Sequence, residues 1–204
     1  HLHSTRSDEN ILVVRDQLPW GADVVPHWIA LGTSVTVVSS NALLGIDLND
    51  YDVFYWGGGD SFNSTFYNNI ASKMDEIEAF IEKGGVVFAA TGSNGGGSFI
   101  LPGGINASHS GGYMQTPYPG YCVTEDLPDQ VDGYFSYHDF FTTLEAVDNV
   151  EVFSMGDNGS PVGIEYSLGY GHVIIIGNPS ECSSIKSANQ SVCFSRCFII
   201  LSNQ

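Results

Sequence analysis

Short apolar runs and longer amphipathic segments follow one another through the first half of the chain. Runs of β-branched and aromatic residues predict strands at 11–15 (ILVVR), 33–40 (TSVTVVSS) and 52–56 (DVFYW). Between and after them, apolar residues at helical spacing predict helices at 22–32 and 66–83. The pattern therefore alternates strands with helices.

The run 86–90 (VVFAA) contains no polar residue, which predicts a strand buried on both faces. It ends at Thr91, followed by small residues and glycine. The order strand, helix, strand, strand, helix, strand is typical of a doubly wound parallel sheet, in which function lies at the carboxyl ends of the strands. We therefore predict one flavodoxin-like α/β domain over residues 1–204, with a mostly parallel sheet and helices on both faces.

The second half begins with a segment rich in glycine and proline, residues 92–121, which we predict to be a long structureless insertion. Further strands or strand edges are predicted at 134–141, 150–155, 161–167 and 171–179, followed by a closing helix at 187–201.

Charge excludes some classes of function. The 204 residues include 6 Lys and Arg against 23 Asp and Glu, a net charge of −17. Phosphates would repel such a chain, so nucleic acid and anionic membranes are not expected as partners. No apolar run is long enough to span a membrane.

Two other features point to an extracellular or cell-surface location. The sequence contains four glycosylation sequons, at Asn63, Asn106, Asn158 and Asn189, and four cysteines, Cys122, Cys182, Cys193 and Cys197. Cys193 and Cys197 would share one helix face and each pair with Cys182 or Cys122, although the pairing stays open. The alternative is four buried free thiols in a cytosolic protein.

Three spaced blocks resemble a known family. They are YDVFYWGGGD (51–60), IEKGGVVFAATGSNG (81–95) and SLGYGHVIIIGNPSE (167–181). Together they resemble the class I glutamine amidotransferase-like superfamily, in the branch of the N-terminal domain of fungal biotin-protein ligase and its extracellular relatives. The resemblance covers residues 11–181 and implies a cysteine nucleophile after the second block's strand and a histidine–glutamate pair in the last block.

The chain departs from that family at the residues that matter for catalysis. Thr91 stands at the cysteine position, and the histidine and glutamate fall near Asn178 and near Ser180 or Glu181. A threonine hydroxyl needs a well-placed base, and asparagine cannot be one, so glutamine hydrolysis by the family's route is not expected. The remaining candidates are the hydroxyls of Thr91 or Ser93 with His138 as the base, and Glu181.

The segment DLNDYD is the candidate cation site. Asp47, Asn49, Asp50 and Asp52 would offer calcium an oxygen-rich loop, but the EF-hand pattern is missing, and a solvated turn is the alternative. We predict no other cofactor.

The leading expectation is a secreted or cell-surface glycoprotein domain without catalysis, acting as a binding or structural module that meets a protein partner or self-associates. It is based on the lost nucleophile and base, the sequons and the tyrosine-rich insertion. The alternative is an extracellular hydrolase or amidase that uses Thr91 or Ser93 with His138. A third hypothesis is a sensor of a small ligand or cation.

Overall fold

The computed structural model describes residues 9–18, 23–57, 60, 63–92, 98–124 and 127–177. The strands are β1 Asn10–Val14, β2 Ser34–Val38, β3 Val53–Trp56, β4 Val86–Ala90, β5 Ser98–Ile100, β6 Asn106–Pro117, β7 Val131–Thr142, β8 Glu151–Gly156, β9 Pro161–Leu168 and β10 Gly171–Ile176. The α-helices are α1 Val25–Ala30, α2 Ser40–Leu43, α3 Ser64–Ser72 and α4 Met74–Glu82.

All ten strands form one mixed sheet in the order β2-β1-β3-β4-β10-β9-β8-β6-β5, with β7 paired to β6. The first five strands of that order are parallel, and the others are antiparallel. The predicted flavodoxin-like α/β fold is confirmed, while the domain bounds 1–204 stay a prediction because the structure describes only part of that range.

The central strands form because their apolar runs can be buried from both sides. Leu12 and Phe54 point to the face covered by α3 and α4. Ile11 and Tyr55 point to the opposite face, where Trp28 of α1 packs edge-on against Tyr55 with ring centroids 5.1 Å apart. Helices therefore lie on both faces, as the sequence predicts.

The helix predicted at 66–83 is two helices, α3 and α4, that meet at Lys73. Lys73 has φ −102° and ψ 4°, and its side chain is buried. Its ammonium donates to the carbonyl oxygen of Ile46 at 3.1 Å and pairs with Glu76. The periodicity alone did not reveal the break, because apolar spacing continues across it.

The prediction of a structureless insertion at 92–121 is wrong. The segment holds β5, a short 3-10 turn at Pro102–Gly104 and the long strand β6, which pairs with β7. A Cβ atom on Gly112 would lie 2.2 Å from the Tyr137 ring, so packing across the β6–β7 pair requires glycine there. The four strands predicted after the insertion correspond to β7 to β10.

The predicted closing helix at 187–201 lies outside the described residues. Within the described ranges, no helix combines the length and the apolar character needed to cross a membrane.

Candidate functional site

Thr91 lies where β4 ends at the carboxyl edge of the parallel strands. Its backbone N–H donates to the carbonyl oxygen of Ile176, at the end of β10, at 2.8 Å. The side chain is fully buried, and its hydroxyl donates to the same carbonyl at 3.4 Å. In this arrangement the hydroxyl proton of Thr91 is directed to backbone.

His138 and Asp139 of β7 are held by Gly177, the residue that follows β10. Their two N–H groups both donate to the carbonyl oxygen of Gly177, at 2.6 and 3.0 Å. Consecutive carbonyls of an extended chain point to opposite sides. The end of β10 therefore holds Thr91 on one side and His138 with Asp139 on the other.

The imidazole of His138 is neutral near pH 7. The residue is 5% exposed, and burial, followed by the charge of His109, lowers its pKa to about 4. A neutral imidazole can accept a proton, which is the property that a general base needs.

His109 of β6 lies beside this pair. Its Nδ1 donates to the carbonyl oxygen of His138 at 2.9 Å and is 3.8 Å from Oδ1 of Asp139. The two imidazole centroids are 6.5 Å apart. The side chain of His109 is about one quarter exposed, whereas His138 and Asp139 are buried.

Tyr67 of α3 reaches the same edge from the helical face. Its hydroxyl oxygen accepts the N–H of Gly92 at 3.0 Å, and its ring packs against Phe99. Burial raises the pKa of Tyr67, and the charges of Asp139 and Asp60 raise it further, so the hydroxyl is neutral. Tyr67 thus holds the peptide that follows Thr91.

We expect Tyr67→Phe to lower the free energy of unfolding by about 1–2 kcal/mol, because the buried N–H of Gly92 loses its acceptor. Tyr170→Phe is the matched control, since Tyr170 is 93% exposed, and it should change stability by less than about 0.5 kcal/mol. Urea unfolding of both variants gives the measurement. Equal effects in the two variants would contradict the assigned role of Tyr67.

Two carboxylates occupy the part of the edge formed by β1 and β3. Asp60 is 1% exposed, and burial raises its pKa. It accepts the N–H of Asp16 at 3.0 Å and the amide of Asn63 at 3.0 Å. The carboxylate of Asp16 accepts the N–H and the hydroxyl of Ser40, both at 2.7 Å. These bonds fasten α2 and α3 to the sheet and leave the edge acidic.

Two carboxylates of the predicted calcium segment already accept hydrogen bonds from the protein. Oδ1 of Asp47 accepts from the backbone N–H of Asn49, at 3.0 Å, and from the side-chain amide of Asn49. Together these bonds lower the pKa of Asp47. Oδ2 of Asp52 accepts the N–H of Asn10 at 2.9 Å. Across the described residues, no group of three or more His, Cys, Asp or Glu is placed to hold a metal ion. Calcium binding by Asp47, Asn49, Asp50 and Asp52 stays a prediction.

Several predicted site residues lie outside the described residues: Ser93, Glu181, Cys182, Cys193, Cys197 and Asn189. Of the other sequons, Asn63 caps α3 by accepting the N–H of Phe66, Asn106 begins β6, and Asn158 lies in the turn between β8 and β9. Cys122 begins a short 3-10 turn. Glycosylation and disulfide formation at these residues stay predictions.

From the sequence we proposed Thr91 and His138, whose catalytic roles stay predictions, and did not propose Tyr67 or His109. The β6–β7 register pairs His109 with Asp139, yet His109 falls in the segment predicted to be structureless. The available signal was a run of residues between glycines that can form a strand, opposite the predicted strand 134–141. Tyr67 carried no signal beyond its place on a predicted helix.

The sequence matches no protein-family model and no curated protein. Solved structures do match it. A Thermoplasma acidophilum protein whose description names GMP synthase matches with a TM-score of 0.59 and 13% identity, over 96% of this chain and 94% of that one. A glutamine amidotransferase from Thermotoga maritima gives 0.56 and 11%, over 93% and 82%. A cytoplasmic protein from Salmonella typhimurium gives 0.61 and 10%, over 96% and 98%.

These matches correct two expectations. The predicted extracellular location is wrong, because the matching structures include proteins described as cytoplasmic. The predicted secreted, non-catalytic binding module is also wrong, because the structures named above are described as a GMP synthase subunit, a glutamine amidotransferase and a cytoplasmic protein and not as secreted glycoproteins. At this level of identity, the comparison shows that the chain shares the fold of these proteins, a glutamine amidotransferase among them.

Proposed function

We propose that this protein is a hydrolase of amide or related acyl bonds, with His138 as general base and the hydroxyl of Thr91 or Ser93 as nucleophile. The observation that supports it most is the arrangement at the end of β10. There, consecutive carbonyls of Ile176 and Gly177 hold the Thr91 turn and the His138 strand at one sheet edge. That edge is where ligands bind in open α/β sheets.

Two further observations support an acid–base role for His138. Burial keeps its imidazole neutral down to about pH 4, so the proton-accepting form is present across the physiological range, and the ring becomes an effective base once bound substrate raises its pKa. His109 lies beside it, with its Nδ1 donating to the main-chain carbonyl of His138 and the two imidazole centroids 6.5 Å apart, so two imidazoles lie at this edge. The hydrolytic chemistry also agrees with the glutamine amidotransferase named among the matching structures.

The arrangement imposes one requirement on Thr91. Its hydroxyl is bonded to Ile176, so a reaction through Thr91 needs rotation of that side chain away from the carbonyl. A reaction through Ser93 needs no such step at Thr91. The two nucleophiles therefore differ in a way that substitution can separate.

Within the amidotransferase-like fold, we further propose kinship with the biotin-protein ligase branch, on the three sequence blocks alone. In that case Thr91 and Asn178 stand in this chain where that branch has its cysteine and histidine.

The test uses L-glutamine, γ-glutamyl p-nitroanilide and p-nitrophenyl acetate as probes. His138→Gln should reduce the hydrolysis rate by about a hundredfold or more. Of Thr91→Val and Ser93→Ala, the variant that removes the nucleophile should reduce it by a similar factor. His172→Gln, at the opposite end of β10, is the control and should leave the rate unchanged. If the wild-type chain hydrolyses none of the probes, or if His138→Gln retains the full rate, the proposal fails.

A further inference from the structure

β2 is the outermost strand on the parallel side of the described sheet, and no described strand pairs with its outer side. Among the described strands, β2 pairs with β1 alone. Ser34, Thr36 and Val37 are exposed, Val37 by 42%. An exposed sheet edge can accept a further strand through its main-chain groups.

The hydrogen-bond register shows which main-chain groups face outward. The N–H of Ser34 donates to Glu9 and the carbonyl of Val38 accepts from Arg15, both on the β1 side. In a parallel pair, alternate residues bond to the neighbouring strand. The N–H and C=O groups of Val35 and Val37 therefore point away from β1, toward the open edge.

This edge differs in charge from the rest of the molecule. Residues 24–46, from the residue after Asp23 to the residue before Asp47, contain no Asp, Glu, Lys or Arg. The chain as a whole carries a net charge of −17, so two copies repel each other over most approaches. The edge formed by β2 is therefore where a second copy meets less of that repulsion.

Exposed apolar side chains lie on the element that packs beside the open strand. Helix α1 contacts β2, and Ile29 of α1 and Leu31 just after it are 57% and 48% exposed. Contact between two copies along this side would remove such side chains from water together with Val37.

We propose that two copies of this chain form a two-fold dimer by antiparallel pairing of their β2 strands. With the axis at Thr36, Val35 of each copy lies opposite Val37 of the other, and their outward N–H and C=O groups form reciprocal hydrogen bonds. The ten-stranded sheet becomes continuous across the dimer. This interface is at the opposite side of the sheet from the tyrosine-rich insertion from which the sequence predicted self-association.

The charge pattern favours a second copy of this chain over a basic partner at the β2 edge. A basic partner would be drawn to the acidic surfaces elsewhere on the chain and not to this uncharged edge. A second copy matches the edge in both hydrogen bonding and side chains, because the sequence SVTVV pairs with itself about its central residue. The proposal does not depend on the hydrolase activity.

Sedimentation velocity of the full chain, from low micromolar to a few hundred micromolar, tests the dimer. Val37→Lys places a charge in the interface twice and should weaken dimerisation by about tenfold or more. Val37→Pro removes one outward N–H without removing a bond to β1 and should have an effect in the same direction. Tyr170→Lys, which changes an exposed side chain in the β9–β10 turn, is the control and should leave the dimer constant unchanged.

Thermal unfolding and circular dichroism establish that each variant is folded before its sedimentation is compared. A wild-type chain that stays monomeric at the highest concentration would overturn the proposal. A dimer whose dissociation constant is the same in Val37→Lys, Val37→Pro and Tyr170→Lys would overturn it as well, because the dimer would then use another surface.

Discussion

Gly177→Ala is expected to lower the free energy of unfolding by about 3 kcal/mol, because the added Cβ atom would lie 2.0 Å from the carbonyl oxygen of Asp139. Backbone carbonyls cannot swing away as a flexible side chain can. The strand end of β10 and the His138–Asp139 segment of β7 would have to separate, and their bonds to the Gly177 carbonyl would weaken. Hydrolysis that depends on His138 should fall with stability.

Gly45→Ala is the matched control for that substitution. Its Cβ atom would meet nothing nearer than the carbonyl oxygen of Ala42 at 3.8 Å, and Gly45 does not have positive φ. Its stability should stay within about 0.5 kcal/mol of the wild type in the same urea titration. If the two variants have the same stability, the close contact at Gly177 does not constrain the site.

Stability is expected to fall by roughly 3 kcal/mol between pH 6.5 and about pH 4 through His138 alone. The folded-state pKa of His138 is depressed, so the unfolded chain binds the proton first as the pH falls. Its contribution is therefore fully present above pH 6.5 and is lost as the pH decreases toward 4. The His138→Gln variant lacks this contribution.

The comparison of the two proteins isolates His138 from the carboxylates that titrate in the same range, such as Asp60. Urea unfolding at pH 7 and at pH 4 should show a larger loss of stability for the wild type than for His138→Gln. Equal losses in the two proteins would mean that His138 is not buried as a neutral imidazole.

The parallel half of the fold could be predicted from the sequence because its central strands β1, β3 and β4 are buried on both faces. Continuous apolar runs such as VVFAA, short and flanked by glycine or turn residues, are typical of such strands. The strand β6 could not be predicted in the same way. Its glycine at 112 makes room for the ring of Tyr137, a contact between residues far apart in the sequence, and local composition therefore indicated a loop.

The site was predictable only in part, for the same reason. Thr91 follows a recognisable strand, and His138 was assigned to the correct edge of the sheet. His109 joins them through the β6–β7 register, and Tyr67 joins them through a bond from an unrelated helix to Gly92. The contact of Tyr67 leaves no local pattern, and the strand-forming residues around His109 stand among glycines that indicated a loop. The location was misjudged because sequons and an even cysteine count are short sequence patterns that also arise by chance.

The most direct test of a hydrolase at the end of β10 is covalent labelling of the full chain with diisopropyl fluorophosphate, followed by peptide mass mapping. We expect one adduct, on Thr91 or Ser93, which forms much more slowly in His138→Gln. An adduct on neither residue, or labelling at the same rate in His138→Gln, would contradict it.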